Sequence, residues 1–188
     1  MMRRLFHRMI DRFGARYDYD AAYMHEVLDA SPSAFKKLLL AQAMNTHREA
    51  VPPDALFAAR ITAVRFEDCG PCAQLVVNMA AEAGVAPNVL RAIVARDFAQ
   101  MTPDAALAVR LADAALAHAP SDDERAEVRR RFGEKGLVTL AYAIAATRIY
   151  PTMKRVLGHA HTCERLRVAG ETVVAARAEA HTEAHAAA

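Results

Sequence analysis

Two segments of the chain begin with a hydroxyl residue followed directly by proline, at Ser31-Pro32 and Thr102-Pro103. A serine or threonine N-cap accepts a hydrogen bond from the first helical turn, and proline suits the first helical position because it has no amide hydrogen to leave unpaired. Each pair therefore predicts the start of a helix. Pro87 predicts a further start, and Gly158 predicts the end of a helix late in the chain.

The composition favours a fold built from such helices. Apolar residues make up 54% of the 188 residues, but tryptophan is absent and aromatic residues reach only 6%, so alanine, leucine, valine and methionine must fill the core. Small side chains suit closely packed helices, and no segment shows the alternation expected of a strand. We therefore expect one all-α domain, a bundle of about eight to ten helices.

Within this domain the sequence predicts three parts. Residues 1–50 form N-terminal helices that pack on the core, residues 51–160 form the core itself, and residues 161–188 form a C-terminal helix and an alanine-rich tail. The last part follows from its helix-favouring composition.

Charge and hydropathy narrow the possible partners and location. The net charge is only +2 and no basic stripe with interleaved aromatic residues is present, so nucleic acid is not an expected partner. No run reaches the roughly 18 apolar residues of a membrane span, so we expect no membrane partner. The N-terminal apolar positions are interrupted by His7, Arg8 and Asp11, which does not fit a secretory signal, and three cysteines do not make a disulfide framework. These features indicate a cytoplasmic protein.

The chemistry-bearing segment is Cys69-Gly70-Pro71-Cys72, at the start of an apolar run. Two cysteines at i and i+3 lie on one face of a helix, close enough to form a disulfide. The unpaired amides and the dipole of a helix N-terminus stabilise a thiolate, which is the reactive form. Cys69 and Cys72 are therefore candidate catalytic residues of a redox dithiol, one attacking and the other resolving.

Glu67 and Asp68 directly precede this pair and are the other candidate catalytic residues. As proton acceptors or helix caps they would assist the thiols, whereas as free carboxylates they would raise a neighbouring thiol pKa. A third interpretation is a solvated acidic corner. The sequence leaves the three interpretations open.

Other chemistries are less well supported. A thioredoxin fold would require a buried strand before the cysteines, but the segment Asp54–Arg65 is rich in alanine. His159, His161 and Cys163 supply ligand types that could complete a zinc site with the pair, and His181 and His185 have a spacing of four. Such spacings are common by chance, so we expect no metal and no cofactor.

Two passages of the chain resemble the carboxymuconolactone decarboxylase superfamily, and within it the AhpD-like branch. They span roughly residues 50–160. The first comprises an alanine-rich helix leading to Cys69-Gly70-Pro71-Cys72 and a helix ending at Ala83-Gly84-Val85, and the second runs from Phe132-Gly133-Glu134-Lys135-Gly136 to Leu157-Gly158. The resemblance implies an all-helical homo-oligomer. It also implies a redox dithiol in peroxide defence, exchanging with the disulfide or lipoyl group of a partner, with Cys72 as nucleophile and Cys69 as resolving residue.

This chain departs from the AhpD-like pattern at two positions. The family has a histidine four residues after the second cysteine and a glutamate twelve residues before the first, where this chain has Val76 and Phe57. Those two groups supply the family's proton relay. The sequence therefore favours an AhpD-like thiol-disulfide oxidoreductase without that relay, and the alternative is a non-catalytic helical oligomer that binds a small apolar ligand or a protein.

Overall fold

The computed structural model describes residues 2–161 and 165–176, and these residues form eight helices and one hairpin. The elements are α1 (Met2–Tyr17), α2 (Ala22–Ala30), α3 (Pro32–Asn45), α4 (Pro53–Phe66), α5 (Gly70–Glu82), α6 (Pro87–Ala95), α7 (Pro103–Leu116), α8 (Asp122–Val156), β1 (Arg165–Val168) and β2 (Glu171–Val174). This confirms the predicted all-α bundle. None of the described helices is long and apolar enough to cross a membrane.

The cap-and-proline pairs start helices as predicted. The hydroxyl of Ser31 accepts a hydrogen bond from the Ala34 amide at 3.2 Å, and that of Thr102 accepts one from the Ala105 amide at 3.1 Å. Glycine ends α5, where Gly84 has a φ of +86° and the Val85 amide donates to the carbonyl of Ala80. The two helix starts and the helix end follow from local chemistry that is visible in the sequence.

Helix α8 is broken at Gly133, whose φ of 68° and ψ of −175° belong to a region open almost only to glycine. A Cβ built there would meet no atom within 4 Å, so a substitution is opposed by backbone conformation alone. We expect Gly133→Ala to lower the free energy of unfolding by about 1–3 kcal/mol. Urea denaturation of this variant and the wild type checks the prediction, and equal midpoints would contradict it.

Helix α4 lies at the centre of the main core. Every residue from Ala55 to Val64 is buried, and the helix packs against α5, α6, α7 and α8. Because alanines and other small residues occupy much of its surface, neighbouring helices can approach from all sides. This central position places the end of α4, and the turn that follows it, inside the protein.

A second apolar cluster joins the N-terminal helices to this core. Its buried members come from α1 to α3 and include Ile10, Leu28 and Phe35, each with no exposed surface. Leu75 of α5 and Tyr150 of α8 pack against the same cluster. The first three helices therefore cover one side of α5 and α8.

The C-terminal helix predicted from residue 161 onward is wrong for the part of this segment that the structure describes. Residues 165–174 form an antiparallel hairpin in which Val168 pairs with Glu171, with Ala169 and Gly170 both at positive φ in the turn. Alternation in β1 buries Leu166 and Val168 against the core, and this burial outweighs the helix propensity of the segment. The predicted alanine-rich tail after residue 176 lies outside the described residues.

The hairpin is fastened to α5 by a reciprocal pair of hydrogen bonds. The amide of Arg167 donates to Oε1 of Gln74 at 2.7 Å, and Nε2 of Gln74 donates to the carbonyl of Arg167 at 3.0 Å. Gln74 lies two residues after Cys72. The hairpin therefore braces the first turns of the helix that carries the cysteines.

Candidate functional site

The two cysteines lie at the start of α5, as the sequence predicted. Cys69 is the N-cap residue, and Cys72 lies in the first turn. They form a disulfide with their Cα atoms 5.3 Å apart. The Gly-Pro pair between them begins the helix, because proline tolerates the first turn and glycine adds no side chain to the buried turn.

The backbone around the pair is held on one side by the chain after α8. The amide of Gly70 donates to the carbonyl of His161 at 2.9 Å, and the Ala73 amide donates to the carbonyl of Cys69 at 2.9 Å. Pro71 has no amide hydrogen. The amide of Cys72 is therefore the first-turn donor available to a sulfur at the N-cap, where it would stabilise a Cys69 thiolate when the disulfide opens.

Both sulfur-bearing residues are buried, Cys69 at 1% and Cys72 at 3% exposure. Cys72 lies in the wall of an apolar cavity of about 200 Å³. We call this space the apolar cavity. Its walls come from α1, α2, α3, α4, α5 and α8, and they are Met9, Ile10, Phe13, Tyr19, Tyr23, Met24, Leu38, Leu39, Gln42, Asn45, Val64, Cys72, Leu75, Val76, Met79, Thr147, Tyr150 and Pro151. A reagent that reaches the disulfide through this cavity meets Cys72.

Glu67 lies close to the cysteines in sequence but its carboxylate is engaged elsewhere. It is only 8% exposed, and one oxygen accepts a hydrogen bond from Nε of Arg148 at 2.5 Å. The other oxygen accepts from the Thr152 hydroxyl at 3.4 Å, and the backbone carbonyl of Glu67 accepts from Arg155. Glu67 therefore clamps the end of α4 to α8.

Truncating this clamp tests whether Glu67 is structural or catalytic. We expect Glu67→Ala to lower the free energy of unfolding by about 1–3 kcal/mol, because donors on α8 lose a buried acceptor. The rate of thiol-disulfide exchange should persist within a few-fold. Thermal denaturation and a thiol-exchange assay check both statements.

Glu134→Ala is the matched control for this variant, because its partner Arg129 lies on the surface and such pairs contribute roughly 0–1 kcal/mol. If Glu67→Ala lost exchange while remaining as stable as this control, Glu67 would act in catalysis after all.

Asp68 turns the chain between α4 and α5. Its φ is 51°, in the left-handed region that aspartate tolerates better than most residues, and its amide donates to the carbonyl of Arg65 at 3.1 Å. The residue is half-buried. This backbone conformation sets the direction in which the chain enters α5, and Asp68 thereby helps to position the two cysteines.

The two positions where the AhpD-like pattern has relay residues are apolar and buried here. Val76 is 8% exposed and lies in the wall of the apolar cavity one turn after Cys72. Phe57 is 1% exposed within α4, and its ring lies 5.2 Å from the guanidinium carbon of Arg60. Neither position carries a group that can move a proton.

Three tyrosines in the cavity wall were not singled out by the sequence. Burial raises the pKa of Tyr150 to about 12, and it raises the pKa values of Tyr19 and Tyr23 as well. The Tyr150 hydroxyl donates to Oε1 of Gln42 at 2.9 Å. At neutral pH these phenols stay protonated, so they serve as hydrogen-bond donors and not as bases. They come from α1–α2 and α8, so no local motif links them to the cysteines.

The structure describes two of the residues that were considered for a metal, His159 and His161. Nε2 of His159 lies 2.6 Å from the carboxylate of Glu26, and His161 is exposed. Cys163, His181 and His185 lie outside the described residues. In the part of the chain that the structure describes, no group of three or more histidine, cysteine, aspartate or glutamate side chains is placed to hold a metal ion.

The arrangement is thus a disulfide at a helix N-terminus, with one sulfur-bearing residue in the wall of an apolar cavity and protonated phenols nearby. Comparisons of this chain with protein-family models, with curated proteins and with solved structures gave no match.

Proposed function

We propose that the chain is a thiol-disulfide oxidoreductase in which Cys69 and Cys72 alternate between a disulfide and a dithiol. The observation that carries the proposal is the place of the bond, which closes a ring of four residues at one helix end and ties no two elements together. In the chain-entropy description so short a loop contributes about 2 kcal/mol, against nearly 5 kcal/mol for a loop of about 100 residues. A disulfide at this position therefore contributes little to the stability of the fold.

The reductive half of the cycle uses a dithiol donor. One donor thiolate attacks the sulfur of Cys72 from the apolar cavity, the bond between the cysteines breaks, and Cys69 leaves as a thiolate. The second donor thiol then attacks the mixed disulfide, which frees Cys72 and leaves the donor as a cyclic disulfide. The helix N-terminus favours this order, since a stabilised thiolate is the better leaving group.

The oxidative half uses a hydroperoxide. The Cys72 thiolate attacks the terminal oxygen of the peroxide, an alcohol leaves after taking up a proton, and Cys72 becomes a sulfenic acid. The thiol of Cys69 then displaces the hydroxyl as water and restores the disulfide. The apolar walls support an organic hydroperoxide as the substrate of this step.

The resemblance to the AhpD-like branch extends this proposal to partners. It supports a homo-oligomer that receives electrons from a dithiol or lipoyl protein and acts in peroxide defence. A cytoplasmic setting suits such a cycle, because its redox poise keeps dithiols available.

The test is a steady-state assay of the full chain with dihydrolipoamide as donor and cumene hydroperoxide as acceptor, followed through the formation of oxidised lipoamide. We expect saturable turnover that needs both cysteines. The matched control is the double variant with serine at positions 69 and 72. A wild-type rate equal to that of the control, with hydroperoxide and with a disulfide acceptor alike, would overturn the proposal.

The second candidate is a non-catalytic helical oligomer that binds a small apolar ligand or a protein partner. The apolar cavity favours the ligand-binding form of this candidate, because it is enclosed mainly by aliphatic and aromatic side chains. On this alternative the disulfide resists dihydrolipoamide under native conditions. Mass spectrometry after alkylation separates the two candidates, since only an exchanging disulfide yields alkylated Cys69 and Cys72.

A further inference from the structure

Arg60 is a buried charge that has no counter-ion among the residues the structure describes. The residue is 5% exposed, its guanidinium lies over the ring of Phe57, and one terminal nitrogen donates to the backbone carbonyl of Asn45. Nε of Arg60 has no hydrogen-bond partner within residues 2–161 and 165–176. A buried guanidinium without an anion is unfavourable, and an anionic ligand bound beside Arg60 would offset this cost.

Burial, and to a smaller extent the charge of Arg48, lowers the pKa of Arg60 to about 10. Because this value lies well above neutral pH, the guanidinium keeps its charge in the folded protein. Arg48 itself is exposed. Arg48 and Arg60 line the same cavity, so an anion held there would offset the repulsion between their like charges.

Arg60 lines a second cavity, of about 510 Å³, which we call the basic cavity. Arg12, Arg16 and Arg48 also line it, together with one carboxylate, that of Glu82. Glu82 is already committed, since it pairs with Arg16 and accepts a hydrogen bond from the Tyr17 hydroxyl at 2.5 Å. No carboxylate of the described chain lies within salt-bridge distance of Arg12, Arg48 or Arg60.

The basic cavity and the apolar cavity meet at shared walls. Both are lined by Phe13, Gln42, Asn45 and Met79. The apolar cavity runs from these side chains to Cys72. A molecule with an anionic head and a hydrocarbon tail would therefore match the two spaces in charge and polarity.

We propose that Arg60 and Arg48 bind the carboxylate of an amphipathic acid whose hydrocarbon chain extends past Phe13 and Met79 into the apolar cavity beside Cys72. The planar guanidinium presents paired donors that match a carboxylate. The tail removes apolar surface of both ligand and protein from water. The site goes beyond the proposed redox function and does not depend on the state of the disulfide.

The test is isothermal titration of the oxidised full chain with hexanoate, octanoate and decanoate, each below its micelle concentration. We expect the affinity to rise about fourfold for each added methylene, which corresponds to about 0.8 kcal/mol. Decanol serves as the neutral control and should bind at least tenfold more weakly than decanoate. Equal binding of decanol and decanoate, or no binding of decanoate, would overturn the proposal.

Two variants of the site, one control variant and one competing head group sharpen the test. Arg60→Met replaces the buried charge with an apolar chain of similar length and should weaken decanoate at least tenfold while the protein remains folded by circular dichroism. Arg48→Met, at an exposed position, should weaken it several-fold and gives a readout even if the Arg60 variant fails to fold. Arg129→Met, far along the chain on the exposed side of α8, should bind like the wild type. Unchanged binding in both the Arg60 and Arg48 variants would refute the head-group site, and decyl phosphate binding more than tenfold tighter than decanoate would refute a carboxylate as its ligand.

Discussion

Replacing Cys72 with serine is expected to reduce thiol-disulfide exchange to the uncatalysed rate, whereas replacing Cys69 should leave the first attack intact and block the second. The two variants should differ because the two cysteines occupy different positions. Cys72 lies in the wall of the apolar cavity, while Cys69 is the N-cap residue with 1% exposure. In Cys69→Ser the thiol of Cys72 should react with a small disulfide and remain trapped as a mixed disulfide, because no resolving thiol is present.

Intact-protein mass spectrometry after brief exposure to hydroxyethyl disulfide measures both outcomes. Peptide mapping locates the adduct and separates Cys72 from Cys163. We expect an adduct on Cys72 in the Cys69→Ser variant and none on Cys69 in the Cys72→Ser variant over the same time. The assignment of nucleophile and resolving residue would be reversed if Cys69 alone acquired the adduct.

The second large effect concerns Phe35, which is fully buried where α1, α2 and α3 meet. Its ring centroid lies 5.4 Å from that of Phe6. We expect Phe35→Ala to lower the free energy of unfolding by about 3–5 kcal/mol, because truncation leaves a cavity that the surrounding helices cannot fill. Leu40→Ala is the matched control on the same helix, since Leu40 is 69% exposed and its truncation should change stability by less than about 0.5 kcal/mol.

Urea denaturation followed by circular dichroism compares the two variants with the wild type. The second apolar cluster, formed by the N-terminal helices, also contacts Leu75 of α5 and Tyr150 of α8. Loss of its packing should therefore lower the stability of the whole bundle. Equal midpoints for Phe35→Ala and Leu40→Ala would show that the N-terminal helices contribute little to global stability.

Helix starts and the disulfide site were predictable because their chemistry is local. Ser31 and Thr102 cap the turns that follow them, and Gly70-Pro71 begins α5. A cap, a proline and an i, i+3 cysteine pair each act within one turn of the chain. The sequence contains all of the information that these features need.

The hairpin was missed because tertiary contact decides it. Leu166 and Val168 are buried against the core, and Gln74 of α5 exchanges two hydrogen bonds with the backbone of Arg167 between them. The local signal for it was the Ala169-Gly170 turn, because glycine readily adopts the positive φ that a two-residue hairpin turn requires. Helix propensity alone favoured a helix in this segment.

The residues that surround the disulfide could not be predicted from the local sequence either. Tyr23, Tyr150 and Arg60 come from three different helices, and only packing brings them to the two cavities. Glu67 shows a similar limit, because the sequence left its role open and the bond between its carboxylate and Arg148 is made only by the fold. Sequence proximity located the sulfurs but not the groups around them.

The most direct test of the central claim is an equilibrium titration of Cys69 and Cys72 in glutathione buffers of stepped potential, quenched by alkylation and read by peptide mass spectrometry. A redox dithiol should interconvert reversibly, with the same midpoint from the oxidised and reduced sides and a value above about −300 mV, where catalytic pairs lie. A midpoint well below that value, or a bond that opens only when the protein is unfolded, would identify a structural disulfide and contradict the proposed function.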